Sequence, residues 1–99
     1  MDLDTAVEVI ERYYRSRCND TWEHKNGFRI ESCDNPGWML LLTDQKINNL
    51  RNLHAGQNLI TGTLQGLVTD DGISLFSSVG LKELIVGTAE QLINLDKTG

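Results

Sequence analysis

The stretch from Phe28 to Leu42 constrains this chain more than any other. Phe28, Ile30 and Ser32 alternate with Arg29, Glu31 and Cys33, the period of two that belongs to a strand with unlike faces. Asp34-Asn35-Pro36-Gly37 follows, and then the apolar run Trp38-Met39-Leu40-Leu41-Leu42. Two strand-like runs joined by so short a polar link read as a β-hairpin. Proline presets φ at the first inner position of a turn and glycine accepts positive φ at the second, so Asn35-Pro36-Gly37 predicts a type II turn.

The flanks supply the partners such a hairpin needs. Upstream, Leu3, Ala6, Val7, Ile10, Tyr13 or Tyr14 and Cys18 recur at intervals of three and four, the stripe of an amphipathic helix. Asp2 or Asp4 suits its N-cap, and Arg12, Arg15 and Arg17 suit the negative end of its dipole. Trp22-Glu23-His24-Lys25, between loop signals at Asn19-Asp20 and Asn26-Gly27, reads as a short extended piece. Downstream, Asn58 to Val68 reads as one strand, and Asp70-Asp71-Gly72 turns it into a returning strand over Ile73 to Phe76. Leu81, Leu84, Ile85, Ala89, Leu92, Ile93 and Leu95 then mark a second amphipathic helix running through Gly87, with Ser77 or Ser78 as its cap. Thr43 to Gln57 fits a short helix, an edge strand or a loop equally well. The expected fold is α+β in two layers: N- and C-terminal helices packed on an antiparallel sheet of about four strands, one domain over residues 1–99.

The chemistry-bearing residues exclude more than they propose. No apolar run approaches the roughly 18 residues of a membrane span, and Met-Asp-Leu-Asp has no leader character, so a cytoplasmic protein is expected. A net charge of −5 disfavours nucleic acid as a partner and suits a basic protein. Cys18, His24, Cys33 and His54 lack the paired spacing that lets one turn present two metal ligands, so neither a metal nor a cofactor is expected. Glu23 and His24, with Asp34 or Asp20 to orient them, form a conceivable acid–base set, although neighbours on an extended segment point to opposite faces. Trp38 reads as core, and Trp22 reads equally as core or interface. Arg29 and Glu31 share the strand face opposite Phe28 and Ile30, a solvated face or a contact surface.

Trp22-Glu23-His24, Gly27, the alternating strand and Asp34-Asn35-Pro36-Gly37-Trp38 together resemble the signature of the immunity protein 53 family, small bacterial proteins encoded beside polymorphic toxins. Tyr13-Tyr14, Cys18 and Asp20 sit where that family has an aromatic pair, a cysteine and an aspartate, so the resemblance covers Tyr13 to Leu42. It implies a non-enzymatic cytoplasmic inhibitor that binds and neutralises the toxin domain of a polymorphic toxin or contact-dependent growth inhibition system. A nuclease is one toxin class that the acidic charge suits. The expected partner-binding residues are Asp20, Trp22, Glu23, His24, Arg29, Glu31, Asp34 and Trp38, on a monomer with no cofactor and no nucleic-acid or membrane partner. On this reading Trp22→Ala with Glu23→Lys abolishes protection and leaves the fold intact. Two other classes compete. A small enzyme using Glu23, His24 and Asp34 requires a pocket that gathers them, and a structural subunit of a phage or secretion assembly requires obligate oligomers.

Overall fold

The computed structural model of the chain describes residues 1–44, 56, 58–61 and 64–98. Helix α1 spans Leu3–Arg17. Asp2 is its cap: the Asp2 Oδ1 accepts the Thr5 N–H at 2.8 Å, and the Thr5 side chain, then that N–H, hold the carboxyl below the ordinary aspartate range. Of the tyrosine pair, Tyr13 turns to the core while Tyr14 stays exposed.

The piece expected to be extended is instead a single helical turn, α2, Trp22–Lys25. Side chains build it. Asn19 Oδ1 accepts the N–H groups of Thr21 at 3.1 Å and Trp22 at 2.8 Å, and the Glu23 carboxylate reaches back to the N–H groups of Asn19 and Asp20, each at 2.9 Å. This reciprocal capping satisfies the donors that a helix start leaves free, and four residues are too few to show a helical period. Asp20, inside the capped loop, takes a positive φ of 72°, a conformation that aspartate tolerates better than most residues.

The expected hairpin is present: β1, Gly27–Cys33, pairs antiparallel with β2, Gly37–Thr43, in a register running from Cys33 opposite Gly37 to Gly27 opposite Thr43. Its turn is Asp34-Asn35-Pro36, and Gly37 already belongs to β2 without the positive φ that a type II turn requires. The reason for glycine lies elsewhere. A Cβ at Gly37 would stand 2.6 Å from the Phe76 ring and 2.8 Å from the Ser77 carbonyl oxygen, so the glycine admits the neighbouring strand.

That neighbour is β5, Gly72–Ser77, which returns from β4, Leu64–Thr69, through Asp70-Asp71. The stretch expected to be one strand folds as two, β3, Asn58–Thr61, antiparallel to β4, with Leu59 opposite Gly66. Among the described residues the antiparallel sheet therefore has five strands, in the order β1-β2-β5-β4-β3. Helix α3, Leu81–Thr98, follows β5. The buried Ser77 hydroxyl shapes the connection by accepting the Val79 and Gly80 N–H groups, each at 3.2 Å. Helices α1 and α3 lie together on one face of the sheet, which is the expected two-layer α+β arrangement. Leu40, Leu42, Leu64, Val68, Ile73, Leu75, Leu84 and Leu92 form the core between the layers, with Ile10, Tyr13, Phe28 and Trp38 against its edge. Of Thr43 to Gln57, all but Thr43, Asp44 and Gly56 lie outside the described residues.

Helix α3 runs unbroken through Gly87 because the sheet needs the missing side chain: a Cβ there would stand 2.6 Å from Leu64 Cγ. Alanine gains about 1 kcal/mol of helix propensity over glycine, but forcing a methyl into a packed core costs roughly 1–3 kcal/mol. Gly87→Ala is therefore expected to lower stability by about 1 kcal/mol, read as a lower urea midpoint at unchanged slope; a raised midpoint refutes the packing account.

Candidate functional site

Among the described residues, a tightly connected polar group centres on Asp44, one residue past β2 and fully buried. Its Oδ2 accepts the Tyr13 hydroxyl at 2.7 Å and pairs with Arg17 Nε at 3.1 Å, while Oδ1 accepts the Trp22 indole N–H at 3.2 Å. Arg17 also donates to the Tyr13 hydroxyl at 3.3 Å and lies over the Tyr13 ring, 4.9 Å from its centroid. A buried carboxylate costs several kcal/mol unless donors and a cation surround it, and here they come from α1 and α2. Phe28 meets the Tyr13 ring edge-on, and Trp22 meets Tyr14 the same way, each pair at 6.0 Å. Burial, then the bond to Asp44, pushes the Tyr13 phenol well above its ordinary range.

This group decides what the partner candidates can offer. Trp22 is only 6% exposed and its indole is committed to Asp44, so Trp22→Ala removes core and tests stability, not the interface alone. Glu23 is half-buried, with both carboxylate oxygens engaged by amides; its own N–H and that of Asn19 are foremost in holding it below the ordinary glutamate range. Trp38 is half-buried against the core. Asp20, His24, Arg29, Glu31 and Asp34 are exposed. Arg29 and Glu31 pair with each other at 2.7 Å.

Glu23 and His24 share one helical turn, but Asp34 does not join them. His24 precedes β1 and Asp34 follows it, which separates them by the length of seven extended residues, about 23 Å. His24 borders an open groove of about 480 Å³ with Lys25, Arg29 and Asp71, and neither Glu23 nor Asp34 lines it.

The second face of the sheet is a surface that reading single residues overlooks. Register places Arg29, Leu41, Ser74 and Leu67 in one row across it and Glu31, Met39, Phe76 and Gln65 in the next. Among the described residues, α1 and α3 both pack on the opposite face. Met39, Leu41 and Phe76 are half-buried and Leu67 is 44% exposed, so an apolar centre is bordered by the Arg29–Glu31 pair. The signal was the unbroken run Trp38 to Leu42: a strand apolar at every position is apolar on both faces. Asp44 was missed because it opens the polar stretch after β2, where a carboxylate looks like loop.

A family model described as Immunity protein 53 matches residues 7–65, a span that contains α1 from Val7 onward, the hairpin and Asp44. No curated protein and no solved structure matches the chain.

Asp44→Ala is expected to cost about 3–5 kcal/mol by leaving Arg17, Tyr13 and Trp22 without their shared acceptor, measured by chemical denaturation. The raised Tyr13 pKa gives a pH signature. A neutral phenol favoured in the fold contributes stability that is complete below the unfolded pKa near 10 and is lost as pH rises above it. Stability should therefore fall more steeply above pH 10 in the native chain than in Tyr13→Phe; parallel curves would contradict this.

Proposed function

The chain belongs to the immunity protein 53 family, and from that membership we propose that it binds and neutralises a cognate bacterial toxin domain in the cytoplasm of the cell that makes it. The toxin is the C-terminal domain of a polymorphic toxin or contact-dependent growth inhibition system. Inhibition proceeds by stoichiometric binding without catalysis. The family match carries this reading, and the separation of Asp34 from Glu23 and His24 by the length of β1 does not favour the small-enzyme alternative that joins all three.

The toxin docks on the open sheet face and its β1 margin. Interfaces place apolar anchors at the centre and charges at the rim, and Met39, Leu41, Leu67 and Phe76 inside Arg29 and Glu31 have that layout. Asp20, His24 and Asp34 extend the rim at the two ends of β1. Trp22, Glu23 and Trp38 act from beneath, by holding the loop and the strand in place. The net charge of −5 accelerates encounter with a basic toxin, a nuclease among them.

Expression of the neighbouring toxin domain should arrest growth, and co-expression of this chain should restore it with recovery of a stable complex. Leu67→Glu should abolish rescue and complex while changing stability by less than about 1 kcal/mol, since the side chain is exposed. Val79→Glu, at an exposed residue in the β5–α3 connection, should rescue normally. Rescue without a complex would overturn inhibition by binding, and rescue by Leu67→Glu would move the contact off this face.

A further inference from the structure

Strand β1 is the outer strand of the sheet, and no described strand pairs with its free side. Free edges invite pairing, and proteins blunt them with proline, lysine, bulges or short strands. β1 has seven residues without proline or lysine, it pairs with β2 residue for residue without a bulge, and its two charges, Arg29 and Glu31, are of opposite sign. Ile30 adds an apolar site at the same edge. Its row-mates Leu40 and Leu75 are 1% and 0% exposed, yet Ile30 is 46% exposed because the sheet ends there.

We propose that β1 pairs antiparallel with β1 of a second copy, about a two-fold axis through Ile30, joining two sheets into one of ten strands. The charges select both the partner and the register. Centring on Ile30 sets Arg29 opposite Glu31 of the second copy and Glu31 opposite Arg29, on the face away from the helices. Each copy already holds its own Arg29–Glu31 pair, so the four side chains form a square in which every side joins opposite charges. Cross-strand pairs of opposite charge stabilise a sheet, and like charges directly opposite destabilise it. On the helix face the two Ile30 side chains meet, and Phe28 stands opposite Ser32. Gly27 lies opposite Cys33, where it offers no side chain to obstruct the approach. Centring one residue either way would place Arg29 or Glu31 against itself. The β1 edge is therefore self-complementary in one register, and the charged square remains open on the face proposed for the toxin.

Sedimentation equilibrium on the purified chain, alone and with charge-reversed variants, tests this. The native chain should sediment at twice its chain mass. Arg29→Glu and Glu31→Arg, changed at exposed side chains, should each keep the native circular dichroism and sediment as monomers, because each sets like charges opposite one another twice. Mixed in equal amounts, the two variants should return to the doubled mass as a heterodimer, since every cross-strand pair is again of opposite charge. A monomeric native chain, single variants that still dimerise, or a mixture that stays monomeric would each overturn the proposal. A monomeric native chain whose toxin complex is broken by either reversal would instead give the edge to the toxin. Toxin rescue is scored separately, so failure of dimerisation leaves the immunity reading standing.

Discussion

The fold depends on a buried carboxylate. Asp44 is placed where the hairpin ends, and both of its oxygens are spoken for by side chains from the two helices that precede the hairpin. Hydrophobic burial would bring α1 to the sheet without choosing its rotation, because a leucine-lined groove accepts many orientations. A carboxylate that must find Tyr13, Trp22 and Arg17 accepts few. The same group converts a polar loop into a fixed shape: Trp22 is anchored below by Asp44, and above it Asn19 and Glu23 cap the single turn to which it belongs.

This division of labour changes how the loop is read. A tryptophan in a polar stretch suggests a contact surface, because tryptophan is a frequent interface anchor. In the fold, Trp22 and Glu23 are turned inward or engaged by backbone amides, and His24 is the exposed member of the three. Residues that mark the family signature therefore include ones that preserve the shape of the binding protein, beside any that touch the toxin.

Both faces of the sheet are apolar at β2, but one is covered by α1 and α3 and the other carries Met39, Leu41, Leu67 and Phe76 within reach of solvent. Among the described residues, a two-layer arrangement with both helices on one side leaves the other face of the sheet without a helix over it. It suits recognition for a physical reason: main-chain hydrogen bonds hold a sheet face in place, so little conformational entropy is lost when a partner lands on it.

Local chemistry settled much of this protein in advance. The alternation over Phe28 to Cys33 required a strand, the short polar link required a hairpin, and the three-and-four spacing at either end required helices, because each signal lies within one element. The family resemblance, read on Tyr13 to Leu42, was likewise local. What sequence could not decide depended on residues distant along the chain. Gly37 looked like a turn glycine until β5 was placed beside it, and Asn58 to Val68 looked like one strand until β3 folded back on β4. Trp22 was core or interface until Asp44, 22 positions later, accepted a hydrogen bond from its indole N–H. Periodicity assigns an element its two faces; only packing decides which face is covered.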